Sequence, residues 1–241
     1  LILIAIFQIK CNVKRKYLKF IIIFKDKFYL GLLKKVLMNK IKWIIFDLGG
    51  IVVPETGQSI NHKIAYALNL SDEKLKEIAS KFHRQITAGS ITLFEMYSEI
   101  TKELSIPISA EYLLQEHLNE FIRLGIIHNA DIVHFIETLK DEYKVACLTN
   151  LEIEIADICR ETGLFDYFDK AFMSTELKML KPDLEIYSKV LEELNCFPNE
   201  TIFIDDKIEN VAAANKLGIN GLHFSNLNQL RSDIENICSL P

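Results

Sequence analysis

The stretch Thr201-Ile202-Phe203-Ile204-Asp205-Asp206-Lys207-Ile208-Glu209-Asn210-Val211-Ala212-Ala213-Ala214-Asn215-Lys216-Leu217-Gly218-Ile219-Asn220-Gly221-Leu222-His223-Phe224 decides the fold. Residues 201–204 are short, apolar and β-prone, and two carboxylates follow at once. Over 208–217 the apolar residues recur at three- and four-residue spacing, the mark of an amphipathic helix. Gly218 stands where a helix C-terminus needs a left-handed residue, and 221–224 is apolar again. Strand, helix and strand in that order imply a right-handed crossover between parallel strands.

The same alternation extends upstream. Residues 43–46, 145–148 and 171–173 read as further strands of the kind buried on both faces of a parallel sheet. Residues 131–140, 152–161 and 184–194 read as helices, the second closed by Gly163. The expectation is an α/β protein built on a doubly wound parallel sheet. Polar clusters fall just beyond the strands: Asp47-Leu48-Gly49-Gly50, Thr149-Asn150, Lys181-Pro182-Asp183 and Asp205-Asp206. In an open parallel sheet the carboxyl ends of the strands line one crevice, where ligands bind. Carboxylates, a hydroxyl, an amide and an ammonium meeting there suit a divalent cation and a phosphoryl group, with one carboxylate free to attack.

Between the first strand and the helix at 131–140 lie about eighty residues, far more than the usual 2 to 6 of a βα loop. Residues 60–70, 72–87, 92–104 and 110–124 look helical, with Ser71 and Ser109 as N-caps and Gly89 and Gly125 as breaks. This is read as a four-helix unit that covers the crevice. The expected domains are an N-terminal extension over 1–40, a core formed by 41–54 and 127–241, and a helical cap over 55–126.

Together these residues resemble the haloacid dehalogenase superfamily, in the branch with a helical cap inserted after the first motif. FDLGGIVV matches its first motif, LTN its second, LKPDLEIY its third and IFIDDKIENVAAANKLGINGLHF its fourth, in order from Lys42 to Phe224. The resemblance implies a Rossmann-like core and hydrolysis of a small phosphorylated metabolite, with a sugar phosphate favoured, through an aspartyl-phosphate on Asp47. It implies Mg²⁺ held by Asp47, the Gly49 carbonyl, Asp205 and Asp206, the last directly or through a water. It places Thr149, Asn150, Lys181 and Gly50 against the substrate, with Thr149 and Lys181 also serving catalysis.

The residues support those roles on chemical grounds. Attack by an anion on a dianionic phosphate needs repulsion offset, which Mg²⁺, an ammonium and hydrogen-bond donors supply. Hard carboxylate and carbonyl oxygens are what Mg²⁺ prefers. Pro182 biases Lys181 toward an extended backbone, as in a loop that delivers a side chain. One departure stands out: many superfamily phosphatases carry an acid-base Asp two residues after the nucleophile, where this chain has Gly49. Glu55 is a candidate substitute, and His83 and Arg84 in the cap are candidate substrate contacts. Two other readings remain: a metal-independent 2-haloacid dehalogenase, against which the Asp205-Asp206 pair argues, and a non-catalytic phosphometabolite-binding regulator, which Gly49 would suit.

Composition narrows the partners. Residues 1–42 hold eleven of the 28 basic side chains and one acidic one, Asp26, leaving 17 basic against 32 acidic side chains, a net of −15, in the rest. Such a core repels nucleic acid. The first Met is Met38, and the apolar and basic segment before it reads as sequence upstream of the native start, in preference to a membrane-surface segment. Five cysteines without a C-x-x-C pair and no expected membrane association for the core make a cytoplasmic compartment the default. The histidines show no ligand spacing.

Overall fold

The computed structural model describes residues 41–239, and the reading of 1–40 lies outside them. Five strands, β1 (Trp43–Phe46), β2 (Lys144–Thr149), β3 (Lys170–Met173), β4 (Thr201–Asp205) and β5 (Asn220–His223), form one sheet in the order β3-β2-β1-β4-β5. All four pairings are parallel. This is the expected doubly wound topology.

Side chains of successive residues leave opposite faces of a strand, and the core divides accordingly. Ile45, Ala146, Leu148 and Phe203 pack on one face against Ile186, Tyr187, Val190 and Leu194 of α9 (Leu184–Leu194) and Ala213 and Ala214 of α10 (Ile208–Lys216). Ile44, Phe46, Val145, Cys147, Ile202 and Ile204 face the other way. There they meet α6 (Ala130–Leu139), α7 (Ile153–Glu161) and α11 (Leu227–Ser239), the last lying beyond the residues the sequence patterns covered. Each fully buried Ile, Leu or Phe contributes about 1.5 to 3 kcal/mol, so both faces are needed to hold the central strands.

The insertion folds as α1 (Gly57–Leu68), α2 (Asp72–Ser80), α3 (His83–Thr87), α4 (Leu93–Leu104) and α5 (Ala110–Gly125). Five helices therefore replace the expected four, because 72–87 is broken. At the break Lys81 donates its N–H to the Ile78 carbonyl (3.2 Å) and Phe82 to that of Ala79 (3.0 Å), a tighter winding than the α-helix. Leu75, Ile78 and Ile86 stay buried on both sides of it. Ser71 and Ser109 cap as expected, accepting from the N–H of Lys74 and Tyr112 at 3.2 Å each. Thr92 and Glu95 add a reciprocal capping box.

The two chain segments that join core to cap are tied at their base, where Asn129 donates its N–H to the Val52 carbonyl at 2.8 Å. Above, the short helix α8 (Ser174–Leu177) and the residue after it hold the cap. The Ser174 hydroxyl donates to the Thr87 carbonyl (2.6 Å) and the Lys178 ammonium to that of Gly89 (2.7 Å). Among the described residues no helix is long and apolar enough to cross a membrane.

Candidate active site

Strands β1 and β4 lie side by side, yet their crossovers run in opposite directions, to β2 and to β5. At such a switch point the connecting loops diverge and leave a crevice. Phe46 is level with Ile204, so Asp47 and Asp205 leave the sheet at neighbouring positions, and the Asp47 N–H donates to the Ile204 carbonyl at 2.9 Å. Both carboxylates are almost wholly buried.

A third group arrives from the loop between α8 and α9. The Asn150 side chain clamps that loop, donating to the Lys181 carbonyl (2.9 Å) and accepting from the Lys181 N–H (3.0 Å). Thus held, the Lys181 ammonium lies 2.9 Å from Asp47 Oδ1 and 2.7 Å from Asp205 Oδ2, over the face of Phe203. Asp205 is occupied on both oxygens, since Oδ1 also accepts from the Lys207 N–H (2.8 Å) and the Asn210 amide reaches both oxygens at 3.0 Å. Asp206 differs: its Oδ1 is buried without a partner. One oxygen from each of Asp47, Asp205 and Asp206 lies within 4.8 Å of the others.

Two buried carboxylates, Asp47 and Asp205, share one buried ammonium with the Asp206 carboxylate beside them, and the ionisation shifts follow from that imbalance. Burial pushes the Asp47 carboxyl above its ordinary range; Lys181 pulls it back and Asp205 pushes it further up. Burial would lower Lys181, but Asp47 and Asp205 together hold it above its ordinary value. Asp206 is raised, chiefly by burial and then by Asp47 and Asp205, against the pull of Lys207. A site short of positive charge, with an unpartnered buried carboxylate oxygen, fits a hard divalent cation.

The haloacid dehalogenase-like hydrolase family model matches residues 41–218, which takes in the whole site and the cap. The chain belongs to this family. It is 30% identical over 186 residues to a sesquiterpene phosphatase of Aspergillus oryzae, covering 76% of this chain and 90% of that one. To a D-ribitol-5-phosphate phosphatase of Bacteroides thetaiotaomicron it is 26% identical over 193 residues, 74% and 89% of the two chains. A magnesium complex of a haloacid dehalogenase-family enzyme from the same bacterium superposes with a TM-score of 0.64 at 26% identity, covering 79% of this chain and 98% of the other. The protein is therefore an enzyme, a haloacid dehalogenase-like hydrolase.

Within that family frame the expected site residues fall out unequally. Asp47, Lys181, Asp205 and Asp206 converge, and Thr149 is buried at the end of β2. The Asn150 side chain is spent on the Lys181 backbone, which leaves its main chain as the part that can face a phosphate. Gly50 does not offer its N–H to a substrate, because that N–H donates to the Val53 carbonyl at 2.8 Å. What Gly50 supplies is space and a left-handed backbone: its φ is +73°, and a Cβ there would stand 2.5 Å from Asp206 Oδ2. In the cap, Arg84 is paired with Asp183, next to the Lys181-Pro182 turn, so it ties cap to core. His83 approaches Thr87 at 3.5 Å. Asn210 and Lys207 were not among the expected site residues, although each stands a few positions beyond the Asp pair, on or just before the helix that follows it.

Proposed function

We propose that the enzyme is a Mg²⁺-dependent phosphatase that hydrolyses a small phosphorylated metabolite, with a sugar or polyol phosphate as the favoured substrate. The observation that carries this reading is the buried Asp47 carboxylate at the switch point, 2.9 Å from an ammonium and beside two further carboxylates. The names of the relatives, phosphatases at 30% and 26% identity over nine-tenths of their own length, support the reaction type, and the ribitol phosphate enzyme supports the substrate class.

The residues present fit the metal. Asp47, Asp206 and the Gly49 carbonyl are the groups proposed to hold Mg²⁺, with Asp205 orienting Lys181 because both of its oxygens are already engaged. When bound, the metal supplies the positive charge that lets an anionic nucleophile approach a phosphate dianion. The rest belongs to the chain. Asp47 attacks phosphorus and the ester P–O bond breaks, giving an aspartyl-phosphate; water then attacks phosphorus and returns the electron pair to Asp47. Lys181 holds charge on the transferring oxygens, and Thr149 with the Asn150 main chain positions them.

Phosphate release from a panel of sugar, polyol, nucleotide and prenyl phosphates, with Mg²⁺ and with EDTA, tests the reading. Turnover that Mg²⁺ sustains, EDTA abolishes and Asp47→Asn eliminates is expected. Activity on 2-haloacids undiminished by chelator would establish the dehalogenase instead, and phosphometabolite binding without turnover would establish the regulator that Gly49 suggests.

A further inference from the structure

Gly49 leaves the first motif without a proton-carrying side chain two residues after the nucleophile, and the structure shows what stands in that space. A Cβ built on Gly49 would meet two atoms within 4 Å, Glu55 Oε1 at 3.3 Å and Glu55 Cδ at 3.8 Å. The carboxylate thus reaches back from the segment that leads into the cap to the place a side chain at 49 would start from. Lys207 fixes it there, its ammonium 3.3 Å from the same Oε1. Lys207 is itself anchored, because its N–H donates to Asp205 Oδ1 at 2.8 Å. The Glu55 side chain is about half exposed, so its carboxylate is open to water.

We infer that Glu55 is the proton carrier of this enzyme, acting in place of the carboxyl missing at 49, with Lys207 as its positioning residue. The inference rests on the phosphatase reading above. In the first step Asp47 Oδ bonds to phosphorus, the P–O bond to the leaving group breaks, and the departing oxygen takes the proton from the Glu55 carboxyl. In the second, water bonds to phosphorus and gives its proton to the Glu55 carboxylate, while the P–Oδ bond breaks toward Asp47. The proton gained in one turnover is the one given in the next, and the sum is ester plus water to alcohol plus phosphate. A sequence-local residue does the work through tertiary placement, since Gly49 and Glu55 are brought together by the tight turn at 48–53, in which the N–H groups of Ile51, Val52 and Val53 all donate to the Leu48 carbonyl.

The test uses the full chain with Mg²⁺ and two probes, 4-nitrophenyl phosphate and ethyl phosphate. An aryl oxide departs without a proton and an alkoxide does not. Glu55→Gln is therefore expected to release one equivalent of 4-nitrophenolate per enzyme in a fast burst, followed by steady turnover about 10²-fold or more below wild type. On ethyl phosphate the same variant is expected to fall by a similar factor with no burst. Lys207→Met should show a smaller loss, and Lys207→Arg should reverse it. Because Gly49 lies outside the left-handed region, Gly49→Asp in the Glu55→Gln background should remove the burst and restore turnover. Wild-type rates in Glu55→Gln, or equal losses on both probes without a burst, would overturn the assignment while leaving the phosphatase standing. A wild-type chain that releases phosphate from neither these probes nor the metabolite panel overturns the phosphatase reading, and this inference with it.

Discussion

Replacing Lys181 by Met isolates the electrostatics of the site from its packing. Met keeps an unbranched apolar stem of similar length in the same buried space, and what disappears is the ammonium that lies 2.9 Å from Asp47 and 2.7 Å from Asp205. Two buried carboxylates are then left facing each other and Asp206 without a buried cation. Breaking a buried ion pair by removing one partner costs about 3 to 5 kcal/mol, because the remaining charge is uncompensated. For a domain of this size about 2 to 4 °C of Tm accompanies each kcal/mol, so Tm should fall by roughly 6 to 20 °C at pH 7.5. The loss should also depend on pH in a definite direction. Asp47 is already raised by burial with Lys181 present, and without it the carboxyl rises further. A group whose folded-state pKa lies above its unfolded value is penalised where it is ionised, and protonation relieves the penalty. The deficit of Lys181→Met against wild type, read from urea midpoints without metal, should therefore shrink between pH 7.5 and 5.5. A deficit under about 1 kcal/mol at pH 7.5, or one that is the same at both pH values, would refute the argument and place the role of Lys181 in packing.

The same balance predicts that Asp47→Asn removes phosphate release yet leaves urea stability unchanged or higher at neutral pH, since it deletes a buried charge that Asp205 repels while Lys181 keeps its bond to Asp205; a loss of stability would count against that account. In the cap, burial pushes His117 down to about 4, with its Nδ1 2.7 Å from the Tyr97 hydroxyl. A depressed folded-state pKa means the stabilisation is complete above the ordinary value near 6.5 and is lost as pH falls toward 4, in all about 3 kcal/mol. Urea midpoints across that range should decline in wild type and decline less in His117→Gln; parallel profiles would show that His117 is not the group responsible. Gly50→Ala should cost about 1 to 2 kcal/mol for the left-handed backbone, and should weaken Mg²⁺ affinity in calorimetry because its Cβ would displace Asp206 Oδ2 from 2.5 Å; unchanged affinity would remove Asp206 from the proposed metal ligands.

The sequence by itself determined the architecture and which polar residue types meet at its edge. Apolar runs of four to six residues read as strands buried on both faces, as in a parallel sheet, and helices between them leave few topologies. The strands at Trp43–Phe46 and the helix at Leu184–Leu194 appear as read. Asp47, Lys181, Asp205 and Asp206 were legible because each closes a strand or a loop at the one edge where such residues converge. Tertiary structure decided everything that depends on which polar group finds which. The break in 72–87 left no trace, since Leu75, Ile78, Phe82 and Ile86 keep helical spacing across it. The Asn150 side chain bonds the Lys181 backbone because that loop packs beside it, and a Cβ on Gly50 would run into Asp206, distant in the sequence but adjacent at the switch point. Asp205 and Asp206 are adjacent and chemically identical in the chain; one is saturated by Lys181, Lys207 and Asn210 and the other keeps a bare buried oxygen. Periodicity records which face of an element is apolar, whereas the partner of a polar side chain is fixed only when distant segments close around it.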